Sequence, residues 1–395
     1  MTAPAAEPIR NVVTSHNEPG WNYGYQNSPY FAFDHARGAS FVVYNRRLMP
    51  IAFDDDDRFE DYWALRRAAT MLPTGELPLE IKGPDAERLC DMVFTKDITK
   101  LKPGRCAYGI ACYPDGGLIV DGILMRLEAD RFWYVQADGD IHSWFIAHAQ
   151  GLDVEVRDPN VWVNQVQGPL ALDVLAKAAD NGLPDPFGYF AIADITIGGQ
   201  RVIVTRTGWT GEVGWEYYSF PETDCHKLWR DIMRAGESAG MVHIGLDSMD
   251  IRRIEAAILN AGSDFDHTMN PFQAGLGPMV DLKKADFFGK AALLEADQRP
   301  LLYGVRCADA EPLTSGPVAK SGKAVGHLSA AAWSPFLSCG IGYVRLDDTE
   351  HGPGDAIEVV GVDGKTYAAE IVELPYYDKE KRIPRGLDKE IPARA

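Results

Sequence analysis

Residues 206–216 read RTGWTGEVGWE, with Gly208, Gly211 and Gly214 at every third position and Trp209, Glu212, Trp215 and Glu216 between them. Glycines alone would suit a phosphate cradle, but adjacent carboxylates would repel the phosphate. A carboxylate takes two parallel hydrogen bonds from a planar donor pair, such as a guanidinium or the amino edge of a pterin. Flanking tryptophans offer faces for a flat heterocycle. The alternative is a tight turn with a surface glutamate and tryptophans in the core. A second candidate is PDGGLIVDGILM, where Asp121 stands among Ile119, Val120 and Ile123. A carboxylate buried in such a run needs a partner, a raised pKa or a catalytic task; otherwise it lies on a solvent face or at a bend before Gly122. The third is the helical GLDSMDIRRIEAAIL, which carries Arg253 and Glu255 and leads into the polar NAGSDFDHTMNPFQ. A polar loop of that kind reaches over a site or merely connects elements.

The elements that must position these residues alternate irregularly. SFVVYN is strand-like, FEDYWALRRAATML and GPDAERLCDMVF are helical, and AYGIACY, GLIVDGILMRL and DRFWYVQA are strands separated by turn signals. DITIGGQRVIVTRTG and WEYYSF form a hairpin-like unit, and DCHKLWRDIMRAG is a strong helix. From about residue 300 short strands take over, with VDGK as a hairpin turn, so the tail is expected to be a β-barrel. The fold class is α+β. The final DKEKRIPRGLDKEIPARA is expected to be only partly ordered.

Composition limits function. The chain has 395 residues, 46% hydrophobic and 24% charged, with a formal net charge of -18. That charge disfavours nucleic acid and anionic membranes, and an anionic ligand would need a local basic patch. No segment approaches a membrane span, and MTAPAAEPIR has no signal-peptide pattern. Six scattered cysteines without a CxxC pair suit reduced thiols in a cytoplasmic protein. The nine histidines form no metal-binding spacing, so no metal is expected. Asp54 to Asp57 is expected to flank the next helix N-terminus.

In order along the chain, IKGPDAERL, TKDITKLKPGRCAYG, DGGLIVDG, VQGPLA, RTGWTGEVGWE, RRIEAAIL, NPFQAGLGPMVDLKKADFFGKAAL and WSP resemble the aminomethyltransferase (glycine-cleavage T-protein) superfamily of tetrahydrofolate enzymes. The resemblance implies a three-domain cloverleaf around a central folate cavity. Its expected ranges are 1–54 with 155–225 for a folate-binding domain, 55–154 with 226–295 for a second, and 296–395 for the barrel. It implies that Glu216 binds the pterin, that Asp121 is catalytic, and that Trp209, Tyr108 and Arg253 line the cofactor site. Tyr44, Phe187, Tyr189 and Trp333 are the expected wall for the methyl donor.

Two segments separate the branches. TMLPTGEL stands where the glycine-cleavage branch usually carries FDVSHMG, and Met249 stands where that branch has an arginine. VVYNRRLMPIAF and GSDFDHTMNPFQAG resemble the dimethylsulfoniopropionate demethylase branch, although TGE replaces its SKQ; NPFQAGLGPMV resembles the O-demethylases of methoxyaromatic acids. The resemblance therefore implies a demethylase that moves a methyl group from a small S-methyl or O-methyl donor to N5 of tetrahydrofolate, without a carrier protein. An ether donor would need a proton donor, for which Tyr108, Tyr189, His243 and His327 are candidates. The alternatives are an aminomethyltransferase acting with a lipoyl carrier and a non-catalytic folate-binding protein.

Overall fold

The computed structural model describes residues 26–139 and 141–394. It contains two open sheets, a two-stranded hairpin and a closed barrel. The six-stranded sheet runs in the order Ile192–Ile197, Gln200–Thr205, Gly214–Ser219, Trp162–Gln167, Thr70–Pro73, Val242–His243. Helices Ala171–Ala178 and Cys225–Gly236 cover one of its faces, closing a core around Val202, Val204, Trp215 and Tyr217. The five-stranded sheet runs Arg105–Cys112, Leu118–Glu128, Arg131–Gln136, Leu77–Lys82, Glu155–Arg157. Its outer face packs on helices Ala86–Val93 and Ile141–His148 through Leu118, Val120 and Leu124.

The remaining faces of the two sheets meet each other. Cys106, Met125, Trp133 and Val135 from one sheet and Val163, Ile203 and Tyr218 from the other form a shared apolar layer. Side chains alternate along a strand, so residues of the same parity share that inner face. Tyr108, Asp121, Thr205 and Glu216 therefore point into the space between the sheets, beyond the apolar layer. The mixed α+β class with a C-terminal barrel is as expected. The barrel strands are Leu302–Cys307, Cys339–Leu346, Lys323–Ser334, Pro317–Lys320, Ala356–Val360 and Thr366–Val372, around Val305, Val318, Leu328 and Val344.

Sheet membership crosses the expected domain ranges. Thr70–Pro73 and Val242–His243 join the sheet that holds Glu216, whereas Glu155–Arg157 pairs with Leu77–Lys82. The first helix expected to run through Leu72 ends at Arg67 instead. Thr70 to Pro73 are fully buried, and strand Trp162–Gln167 takes up their backbone groups. Asp57 caps this helix by accepting from Phe59 and Glu60 amides at 2.9 and 3.2 Å, as the acidic run suggested. The C-terminal stretch departs from expectation because it is fastened down. Arg206 donates to Pro384 O at 2.9 Å, Arg67 to Pro392 O at 2.5 Å, and Arg394 pairs with Glu60. Among the described residues no helix is long and apolar enough to cross a membrane.

Candidate functional site

Two of the three glycines of residues 206–216 make room for one side chain. A Cβ on Gly208 or Gly214 would lie 2.2 or 2.3 Å from the Gln167 amide, which is clamped between the two backbones. That amide donates to Thr207 O at 3.2 Å and accepts from the Thr210 hydroxyl at 2.9 Å. Gly211 supplies a left-handed φ of 70°. The turn is thus a fitted wrap around Gln167 that brings Thr207 back over Glu216.

Glu216 lies on the central strand, 6% exposed, opposite Thr205 in register. Its Oε2 accepts from Thr207 at 2.7 Å, Tyr218 at 3.1 Å and Thr205 at 3.4 Å. Three hydroxyls hold one carboxylate oxygen and leave Oε1 for a ligand. Burial, and then Glu76, pushes its pKa up to about 7. The two tryptophans part company. Trp215 belongs to the core and donates to Ala171 O at 2.8 Å, so it offers no ligand face. Trp209 is half-buried, held by Gln165 and Leu259 O, with the Arg253 guanidinium 5.3 Å from its ring.

Asp121 comes from the facing sheet and is also 6% exposed. The Tyr108 hydroxyl donates to Oδ2, while Oδ1 is buried without a partner. Burial raises its pKa to about 6, and the Tyr108 hydrogen bond opposes that rise. Tyr108 therefore has a definite task, orienting Asp121.

The other expected residues scatter. Arg253 is committed elsewhere, to Asp250 at 2.6 Å and to Asp264, so its part is to support Trp209 and the helix end rather than to grip a cofactor. Phe187 is buried in the core of the six-stranded sheet, where no donor reaches it. Trp333 is half-buried on a barrel strand opposite Gly340. Tyr189 lines a small cleft together with Arg206, Thr207, Arg252, Tyr377 and Lys381. This cleft shares Thr207 with the Glu216 cluster, and its wall includes the C-terminal Asp378 and Pro384. Arg252, 1% exposed, donates through Nε to Glu212 at 2.8 Å, and its Nη1 makes no hydrogen bond but lies 3.7 Å from Glu255. The lining sets Arg206, Arg252 and Lys381 against Glu212 and Asp378, a local excess of cations on an acidic chain.

Two of the candidate proton donors are excluded by placement. His243 is buried 3.3 Å from Asp34, and burial drives its pKa down to about 3, so the imidazole is uncharged near neutrality and no ready acid. His327 is exposed on the barrel. The sequence reading missed the Thr205–Thr207 pair, Tyr218 and Gln165, although Thr205 is the register partner of Glu216 and Thr207 stands two residues on. It also missed Glu76 and Asn45, for which periodicity gives no signal.

A model of the glycine-cleavage T-protein N-terminal domain matches residues 31–284, and one of the T-protein C-terminal barrel domain matches residues 302–378. The chain belongs to the glycine-cleavage T-protein family. Among similar proteins of this family, the aminomethyltransferase of Moorella thermoacetica is 30% identical over 90% of this chain and 99% of its own length. The trimethylamine-oxide aldolase of Ruegeria pomeroyi is 33% identical over 88% of this chain, which spans only 46% of that protein. The crystal structure of glycine cleavage system aminomethyltransferase T from Bartonella henselae superposes with a TM-score of 0.80 over 90% of this chain and 98% of its own, at 23% identity. The fold is therefore that of T-protein.

Proposed function

We propose that this T-protein family member transfers a methyl group from a small S-methyl or O-methyl donor to N5 of tetrahydrofolate, giving 5-methyltetrahydrofolate. The observation that carries the reading is the pair of buried carboxylates on facing sheets, each with one oxygen held by hydroxyls and one left open. Bound tetrahydrofolate would supply the N5 lone pair that accepts the methyl carbon. Glu216 offers its Oε1 to a donor of the pterin edge, and Thr205, Thr207 and Tyr218 keep it aimed by holding Oε2. Trp209 presents a flat face. Arg206, Arg252 and Lys381 in the adjoining cleft suit the carboxylate end of the molecule.

Asp121 orients N5 and takes the proton that N5 sheds after transfer. A base near pH 6 is well matched to that task, since it is ionised at neutrality yet close enough to receive the proton. Tyr108 fixes the oxygen that does not act. Transfer is an in-line displacement, so positioning supplies most of the acceleration. The six free, buried cysteines support a cytoplasmic setting, and no partner protein is required by this scheme.

The second reading, aminomethyl transfer from a lipoyl carrier, is favoured by the names of full-length relatives at 30% identity or more. The two are separated by product. Incubation with tetrahydrofolate and a panel of S-methyl, O-methyl and N-methyl donors is expected to yield 5-methyltetrahydrofolate. Methylenetetrahydrofolate formed only with an aminomethyl-loaded carrier would overturn the proposal.

A further inference from the structure

Beyond residue 378, where the match to the T-protein barrel domain ends, the chain continues as a strap that folds back beside the cleft. Its first turn is firmly built. Asp378 and Lys381 are both left-handed, with φ of 52°. The Asp378 carboxylate accepts from the Arg382 and Ile383 amides at 2.7 and 2.9 Å, and the Lys381 amide donates to Asp378 O at 2.9 Å. Residues other than glycine keep such a backbone only where their surroundings over-determine it. Farther along, Arg206 anchors the strap by donating to Pro384 O at 2.9 Å. Arg206 is 3% exposed, and its Nε is left without a hydrogen-bond partner.

The strap lines two adjoining depressions. Lys381 and Tyr189 wall the cleft beside Thr207, and the same two residues wall an open groove that continues from it. In the groove Arg105, Lys379, Lys381 and Arg385 face a single acid, Glu380. Arg105 stands three residues before Tyr108 on the strand Arg105–Cys112, and its Nη2 donates to Tyr189 O at 2.8 Å, which fixes where its charge lies. All four cations are exposed, so packing does not account for them. On a chain of net charge -18 they form a local field that draws in anions. The other edge of the sheet junction is closed by packing. There Tyr44 lies against Gly75, where a Cβ would come within 2.9 Å of the Tyr44 side chain. Asn45 fixes the adjoining turn by donating to Ala137 O at 3.2 Å and, through its backbone amide, to Asp138 at 2.9 Å.

We propose that the groove binds the γ-linked glutamyl extension of a tetrahydrofolate that carries several glutamyl units, so that cations of the strap select the length of the cofactor's tail. This inference rests on the cofactor placement proposed above, with the carboxylate end beside Arg206, Arg252 and Lys381. Each further unit adds one carboxylate and no cation, so the tail is a flexible polyanion. Such a chain needs spaced positive charges rather than a fitted pocket. Cations spread from Arg105 on the sheet to Arg385 on the strap suit it better than they suit a compact anion. Lys381, shared by both depressions, stands where the first unit gives way to the next.

Calorimetric titration of the full chain with tetrahydrofolate carrying one or three glutamyl units, at low ionic strength, is the test. An exposed ion pair changes affinity by up to about five-fold, so two added carboxylates are expected to tighten binding about ten-fold, with the gain fading as salt is raised. Lys379→Gln combined with Arg385→Gln should remove most of that gain while one-unit affinity stays within about two-fold. Lys323→Gln combined with Lys389→Gln, which removes the same charge from exposed positions outside the groove, should leave the gain intact. Equal affinity for the two cofactors would overturn the subsite and leave the cofactor reading standing. A gain lost equally in both double variants would also overturn the subsite, by reducing it to net charge. Failure of both cofactors to bind would sink the cofactor reading and the subsite together.

Discussion

Glu216 has an ordinary pKa of 4.5 and is carried to about 7 by burial and then by Glu76. Because the folded value is raised, the stability it contributes to the empty protein is fully present below pH 4.5. That contribution is lost as pH climbs to about 7 and is constant above it. Cofactor binding runs the other way, since the pterin donors need the ionised form. Affinity for tetrahydrofolate is expected to rise about tenfold per pH unit up to pH 7 and then level off. Titration calorimetry across pH 5.5 to 8.5 checks this, and Glu216→Gln should flatten the profile and weaken binding by about 1–3 kcal/mol. For Asp121, Asn should leave affinity within a few-fold and lower turnover by ~10²-fold or more, since shape is kept and basicity lost. Tyr108→Phe removes the hydrogen bond that opposes the burial effect, so the acid limb of the rate profile should move upward from about pH 6. Equal profiles for Tyr108→Phe and wild type would detach Tyr108 from the chemistry. Asp121 and Glu216 were legible in the sequence because a lone acid in an apolar run and a carboxylate beside a glycine turn both break local pattern. Glu76 was not, because its importance comes from a link between sheets that no periodicity marks.

At the scale of elements, the glycine turn shows both the reach and the limit of pattern reading. Its spacing marked a turn, but the group the turn closes on is Gln167, forty residues away, which only strand pairing brings near. Gly208→Ala would displace an amide that makes hydrogen bonds at 2.9 and 3.2 Å, so a loss of about 1–3 kcal/mol in stability is expected by denaturant titration. Gln167→Ala in the same chain should return part of that loss, as the double-mutant cycle would show; strict additivity would mean that the turn strains something else. The strand and helix segments were legible from period-2 and 3.6 alternation, whereas the early end of the helix at Arg67 was not. Burial of Thr70 to Pro73 in a sheet outweighs the helical spacing of that segment.

The whole molecule joins its parts through buried polar ties rather than apolar contact alone. Helix Leu246–Glu255 meets the barrel through Ser334, which donates to Glu255 at 2.6 Å, and Tyr377 adds a second hydrogen bond to Glu255 at 2.6 Å. Beyond Tyr376, which is bonded to Val305 and Gly342 of the barrel, the chain returns to wall the basic cleft. Charge density made this tail look loose in sequence; its fastening depends on Arg206, Arg67 and Glu60, distant in the chain. Deleting residues 378–395 is expected to spare the barrel melting transition and to weaken tetrahydrofolate binding at least ~5-fold, because the cleft loses a wall and Lys381. Full affinity in the truncated chain would remove the cleft from the cofactor site.

The central claim is that an intact methyl group passes to N5. A donor carrying a trideuteriomethyl group on sulfur, nitrogen or oxygen, incubated with the protein and tetrahydrofolate and followed by mass spectrometry, tests it most directly. The account predicts 5-methyltetrahydrofolate that retains all three deuterium atoms, with the yield falling sharply in Asp121→Asn. Label appearing as methylenetetrahydrofolate with two deuterium atoms, through a free formaldehyde or aminomethyl route, would contradict it.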